Sequence, residues 1–236
     1  MTYASYTRQS GERLKAIAHG PRYRQATAIV APRPGDVILD YGCADGHLFT
    51  YLKSHAPGRM VGYDPSAELL AQMAPDVRSA VTVYDDRSAL RDECAGAFSL
   101  IICIEVCEHL TATALDELFD TLLAVARSDA RFVFGVPIET GPSGFLKTLY
   151  RCLRGGRQGA TPAAALRALV GLPIARTPSD LEWYGSHIGF DDRAFRRRLE
   201  ARGLMVRRID FAPFALARRL LNNEVYYSCV RTPPHA

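Results

Sequence analysis

Hydrophobic positions along the chain fall into two alternating patterns. Short apolar runs near 37–40, 59–63, 80–84, 97–104 and 130–136 read as buried strands. Between them, near 46–54, 66–73, 88–93 and 112–127, apolar residues recur at spacings of three and four, the period of an amphipathic helix. Strand–helix alternation of this kind predicts an α/β fold. Right-handed crossovers then give a parallel sheet with helices on both faces. Beyond residue 190 the order changes. Asp191–Arg202 reads as a helix stopped by Gly203, and Leu204–Phe211 and Glu224–Arg231 alternate with period two, as an antiparallel terminal hairpin would. The tail RTPPHA carries no such pattern.

Two stretches stand outside the alternation. Residues 1–31 have helical spacing (Leu14, Ile17 and Ala18, then Tyr23, Ala26, Thr27 and Val30) before Pro32 and Pro34 end it. Tyr3, Tyr6 and Tyr23 either line a cleft or simply pack. Residues 138–184 carry Gly/Pro clusters around two helical patches. The first has Phe145, Leu146, Leu149, Tyr150 and Leu153 on one side, with Lys147, Arg151 and Arg154 between them; the second is Ala163–Val170. This is an insertion after the fifth strand. It reads as a substrate lid, as an amphipathic basic helix on a membrane interface, or as a helix packed on the domain by its apolar stripe. The expected organisation is one domain over 1–236, with N-terminal helices at 1–34, a core at 35–137, a helical lid at 138–186 and a C-terminal helix and hairpin at 187–236.

Composition narrows the class. With 48% hydrophobic and 23% charged residues in 236, the chain is ordinary for a globular protein. No apolar run reaches the ~18 residues that span a bilayer, and MTYASYTRQSGERLK has no apolar signal core. A cytoplasmic protein, peripheral to a membrane at most, is expected. Six cysteines form no C-x-x-C pair and read as reduced thiols. The net charge of +4 is uneven. Residues 1–140 hold 13 Lys/Arg and 18 Asp/Glu, giving −5, and residues 141–236 hold 16 and 7, giving +9. The basic half suits an anionic substrate, a membrane surface or a nucleic acid, or is simply a solvated face.

Candidate chemistry begins in Val37–Leu52, VILDYGCADGHLFTYL. An apolar strand ends at Asp40, a turn of small residues (Gly42, Ala44, Gly46) follows, and Leu48, Phe49 and Leu52 begin a helix. The turn lacks the later glycines of a dinucleotide fingerprint, which makes an NAD-type oxidoreductase a poor reading. It places Asp40 two residues before Gly42, which suits a cationic ligand. Asp64 ends the second strand, 22 positions after Gly42, where an acid can bind ribose hydroxyls. The D-x-G-x-(G/A)-x-G pattern resembles the first motif of class I S-adenosylmethionine-dependent methyltransferases, and the resemblance covers roughly residues 36–136. It implies a Rossmann-like, seven-stranded, mostly parallel sheet, S-adenosylmethionine as cofactor, and leading helices that cover the cleft. It also implies that an acid after the third strand contacts the adenine amino group; Asp85 is the first candidate and Asp86 the second, each also a plausible helix cap. With Glu105 at the end of the fourth strand, the expected cofactor residues are Asp40, Gly42, Ala44, Gly46, Asp64, Asp85, Asp86 and Glu105.

The fourth strand runs into Glu105-Val-Cys-Glu108-His109-Leu. If Glu105 begins a helical turn, Glu105, Glu108 and His109 share one face. Two oxygens and a nitrogen suit Mg²⁺, Mn²⁺, Fe²⁺ or Zn²⁺, and His187 is the candidate fourth ligand. E-x-x-E-H with a distant His is similar to small-RNA 2′-O-methyltransferases and to O-methyltransferases of ubiquinone synthesis. The resemblance implies that Glu105, Glu108, His109 and His187 hold a divalent metal that chelates a vicinal diol. A Glu-His-Leu triplet here also occurs in relatives that bind no metal, so the cluster can instead shape the cleft. Glu108, His109 and His187 are the candidate catalytic residues, with either His a proton acceptor. The expectation is O-methylation of a small-molecule, sugar or lipid-linked hydroxyl. RNA modification and a non-catalytic S-adenosylmethionine-binding module are the alternatives.

Overall fold

The computed structural model describes residues 22–155, 159–179 and 183–233. Tyr3 and Tyr6 lie outside them. Seven strands form one sheet: β1 (Val37–Tyr41), β2 (Arg59–Tyr63), β3 (Thr82–Tyr84), β4 (Phe98–Ile104), β5 (Ala126–Pro137), β6 (Leu204–Ala212) and β7 (Glu224–Arg231). Their order is β3-β2-β1-β4-β5-β7-β6. β1 pairs in parallel with β2 and β4, and β2 with β3, whereas β7 runs antiparallel to both β5 and β6. The fold is the expected Rossmann-like α/β sheet with a terminal antiparallel hairpin.

The chain divides into two compact units. One is built on residues up to Ile102 with Ala124–Ala130, the other on Cys103–Leu123 with Arg131 onward. In the first, β1 and β2 are apolar apart from Asp40 and the exposed Arg59, because both faces are covered: Ile38, Leu39, Val61, Leu100 and Ile101 are fully buried, as are Phe49, Leu52 and Leu90. The predicted helix over 46–54 is shorter, Phe49–Leu52 followed by a 3₁₀ turn Lys53–His55 that ends where Ala56 turns left-handed (φ 48°). The predicted helix over 66–73 shrinks to Ala67–Leu70. Pro75 forces Ala74 into an extended conformation (ψ 140°) and starts a further short helix, Pro75–Arg78.

In the second unit the core is aromatic. Phe119, Phe134 and Phe195 pack together, two pairs edge-on and one stacked, and Phe195 also meets the buried Tyr227 ring. Helix Asp192–Ala201 starts at Asp191, whose carboxylate accepts from the Arg193 and Ala194 amides. The insertion after β5 folds as two helices, Gly141–Leu153 and Pro162–Val170, packed on each other. Every one of the six cysteines is a free thiol. No helix among the described residues is long and apolar enough to cross a membrane.

Candidate functional site

The first unit carries the turn after β1. Gly42, Ala44 and Gly46 all adopt positive φ (87°, 49° and 72°), so the backbone doubles back tightly. For Ala44 this costs about 1 kcal/mol, and two anchors hold the conformation. The Gly42 and Cys43 amides both donate to Tyr63 O at the end of β2, at 2.7 and 3.0 Å. The Ala44 amide donates to Asp64 Oδ2 at 3.0 Å. The other oxygen, Oδ1, accepts from the Ser66 amide at 2.9 Å. Asp64 thus ties the turn to the start of the helix at Ala67, and it keeps lone pairs for a ligand hydroxyl. A Cβ at Gly46 would sit 2.6 Å from Met73 Cε, so the turn admits no larger residue there without displacing Met73.

Asp40 is buried at the tip of β1. Burial, and secondarily the charge of Asp64, raise its pKa to about 7. Asp64 is itself raised by burial, with the two amide hydrogen bonds pulling the other way. Two buried acids, one of which disfavours the ionisation of the other, suit a ligand bringing a positive charge and hydroxyl donors, as S-adenosylmethionine does. Asp85 is exposed and borders a cleft of about 290 Å³ with Ala67, Leu70, Ala71, Arg78 and Val83. Asp86 accepts from the Ala89 amide at 2.7 Å through Oδ1 as N-cap of Arg87–Glu93. Tyr23, in the helix over 22–30, packs edge-on against His47 and stacks on Tyr51.

The second unit carries the other cluster. After β4 a 3₁₀ turn, Cys107–His109, buries Glu108 completely. Glu108 Oε1 lies 3.8 Å from His187 Nε2 and 4.0 Å from His109 Nε2. The two Nε2 atoms are 3.0 Å apart. The ligand atoms of Glu108, His109 and His187 all fall within 4.8 Å of one another. Glu105 does not join them. Its φ of 58° is left-handed and its amide still donates to Gly135 O of β5, so it ends the strand ladder and the helical face assumed from spacing does not pass through it.

The cluster is clamped by residues that spacing did not single out. His109 Nδ1 is 2.7 Å from Tyr184 O. A carbonyl only accepts, so Nδ1 carries the proton and Nε2 presents a lone pair. The His109 ring stacks on Trp183 at 4.3 Å and 2°. Leu110 and Trp183 form an isolated bridge, and the Tyr184 amide donates to His109 O at 2.7 Å. Arg176 donates to Glu108 O and Ser186 O at 2.6 and 2.7 Å, its guanidinium lying over the Tyr184 ring. The chain's single Trp was a usable signal; Arg176 had none.

Burial lowers the pKa of both histidines to about 4. For His109 the Tyr184 hydrogen bond opposes this, and His187 and Arg176 reinforce it. For His187 the buried Glu139 opposes, and Arg151, Lys147 and Arg176 reinforce. Glu139 itself is held below its ordinary value: burial pushes it up, but a bidentate Arg151 and Lys147 Nζ at 2.9 Å more than offset that. Near neutral pH both imidazoles are therefore uncharged. Three donors on a tetrahedral ion with ~2.1 Å bonds are about 3.4 Å apart, close to the 3.0, 3.8 and 4.0 Å seen here.

No curated protein sequence matches the chain. Among solved structures, a TehB-like SAM-dependent methyltransferase from Corynebacterium glutamicum matches with a TM-score of 0.58 at 16% identity, over 94% of this chain and 95% of that one. Magnesium protoporphyrin IX methyltransferase from Synechocystis, with bound SAH, matches at 0.59 and 17%, over 95% and 89%. The 1,6-didemethyltoxoflavin-N1-methyltransferase of Burkholderia thailandensis matches at 0.59 and 15%, over 91% and 78%. At these identities the likeness speaks to the fold. Sequence goes further: a family model described as a methyltransferase domain matches residues 15–209, a span that takes in both the turn after β1 and the Glu108–His109–His187 cluster. The chain belongs to the methyltransferase-domain family.

Proposed function

We propose that the protein is an S-adenosylmethionine-dependent O-methyltransferase acting on a hydroxyl of a small-molecule, sugar or lipid-linked acceptor. In this reading Asp64 and the left-handed turn Gly42–Gly46 hold the nucleoside, Asp40 answers the positive charge of the donor, and Asp85 is the candidate for the adenine amino group. The bound donor supplies an electrophilic methyl, and the protein's task is to align an acceptor with it. Glu108, His109 and His187 would hold a divalent ion, with Zn²⁺, Fe²⁺ or Mn²⁺ better suited than Mg²⁺ to two imidazoles. Such an ion lowers the pKa of a hydroxyl bound to it.

The observation that carries the O-methyl reading is the pair of imidazole Nε2 atoms 3.0 Å apart over a fully buried carboxylate. A histidine protonated only below about pH 4 is a poor base near pH 7 but a good neutral ligand. The pKa direction therefore favours ligand over direct proton acceptor for His109 and His187. Nitrogen and carbon acceptors need less activation, and such a cluster would be superfluous for them. The two-helix insertion at 141–170 is the element proposed to select the acceptor.

The test is paired. Titration calorimetry with Mn²⁺ or Zn²⁺ should show one site in the wild type and none in Glu108→Gln, and excess chelator should abolish methyl transfer from labelled S-adenosylmethionine. Full activity in chelator removes the ion from the reading. Donor affinity in the same Glu108→Gln protein should be unchanged, which separates loss of the ion from loss of the fold.

A further inference from the structure

The large apolar side chains that remain exposed among the described residues all lie between 146 and 221. On helix Gly141–Leu153 they are Leu146, Tyr150 and Leu153, a single stripe at i, i+4 and i+7. On helix Pro162–Val170 they are Leu166, Leu169 and Val170, with Leu172 just beyond. On the connection before β7 they are Phe214, Leu216, Leu220 and Leu221. Leu153 is 81% exposed and Leu216 fully so. These segments adjoin in the second unit, where the two helices of the insertion pack on each other. The helix at Arg218–Leu221 packs on Gly141–Leu153, and Ser143 Oγ donates to Asn222 O at 2.6 Å. Eleven such residues on adjoining elements exceed the scatter normal for a globular surface.

The charge around them identifies what covers the patch. Residues 141–179 contain Lys147, Arg151, Arg154, Arg157, Arg167 and Arg176 and no Asp or Glu; residues 213–223 contain Arg218 and Arg219 and again none. Lys147 and Arg151 are paired with Glu139 and Arg219 with Asp192, which leaves Arg154, Arg167 and Arg218 exposed on the same segments as the apolar side chains. A second copy docked through this face would set two positive, acid-free surfaces against each other, which disfavours self-association. An anionic lipid surface meets both demands, because leucines enter the acyl boundary while guanidinium groups stay with the headgroups.

We propose that this face of the second unit docks on an anionic phospholipid bilayer, lying in the interface without crossing it. The inference stands apart from the methyl-transfer reading, since it uses none of the residues assigned to donor or ion. The experiment is co-sedimentation of the full chain with two kinds of vesicle: phosphatidylcholine alone, and phosphatidylcholine with about one third phosphatidylglycerol. Binding is expected only to the anionic vesicles and should weaken about tenfold as salt rises from about 0.1 M, where the screening length is ~10 Å, to 0.5 M. The combined Leu146→Ser, Leu153→Ser, Leu220→Ser protein and the Arg154→Glu, Arg218→Glu protein should each lose binding about tenfold or more while keeping wild-type S-adenosylmethionine affinity. Hydrogen exchange at 146–153 and 214–221 should slow only when anionic vesicles are added. Three results would each overturn the proposal: no binding to anionic vesicles, binding unchanged in both variants, or full exchange protection without lipid, which would mean that a second copy or the chain's own first residues already cover the patch.

Discussion

At the scale of single residues, Asp40 makes the sharpest claim. Its folded pKa of about 7 means that it is partly protonated at neutral pH in the free protein. A positively charged donor favours the carboxylate, so binding drives a proton off. Affinity should therefore rise with pH through about 7 and level off above it, and fall by up to tenfold per unit on the acid side. Titration calorimetry across pH 6–8 in two buffers of different ionisation enthalpy reads both the slope and the released proton. Asp40→Asn should flatten the profile; a slope that survives there would assign the proton elsewhere. Asp64→Ala should weaken donor binding about tenfold or more, because it removes both the carboxylate and the anchor of the Ala44 amide. Both acids were legible in the sequence, since a strand end before a small-residue turn fixes where a side chain emerges. Glu105 was not. Its left-handed φ is a backbone event at a residue with ordinary propensity, and spacing carries no trace of it.

At the scale of elements, the strands and long helices were readable and the short ones were not. β1, β2 and β4 are apolar on both faces, a signal that depends on burial alone. Ala67–Leu70 and Pro75–Arg78 are each a single turn, fixed by the Ser66 cap and by Pro75 more than by periodicity. The same limit hid the clamp around His109, which comes from residues 65 or more positions further along, brought back by a bridge at Leu110 and Trp183. Arg176 is the central piece of that clamp. Arg176→Ala would leave the Glu108 and Ser186 carbonyls without their donor, at a cost of about 2–3 kcal/mol. It should weaken metal binding by about 10–100-fold, as loss of a supporting residue does, and leave donor affinity unchanged. Arg176→Lys can still donate to both carbonyls but lacks the planar group that lies over the Tyr184 ring, so it should restore only part of this. Metal and donor titrations on the two variants check it.

At the scale of the whole molecule, the acid-rich first part and the basic second part explain why buried charge is handled differently in each. In the first, the charge of Asp64 adds to burial in raising Asp40, so a ligand that brings positive charge relieves both. The second neutralises Glu139 and Asp192 with cations of its own. Asp192 is fully buried at the start of its helix, accepts from Arg219 Nη1 at 2.7 Å and from the Tyr227 hydroxyl at 2.9 Å, and so joins Asp192–Ala201, Arg218–Leu221 and β7. Burial alone would lower the Arg219 pKa, but Asp192 holds it above its ordinary value, which marks the pair as ionised. Removing one partner of such a pair strands the other charge, at about 3–5 kcal/mol. Asp192→Asn should thus lower the melting temperature by about 10 °C, at roughly 2–4 °C per kcal/mol for a chain of this size. Arg219→Leu added to Asp192→Asn removes the stranded cation, so the double variant should melt above the single one. If the two losses simply added in thermal unfolding, the three elements would be held by packing and the ion pair would be incidental.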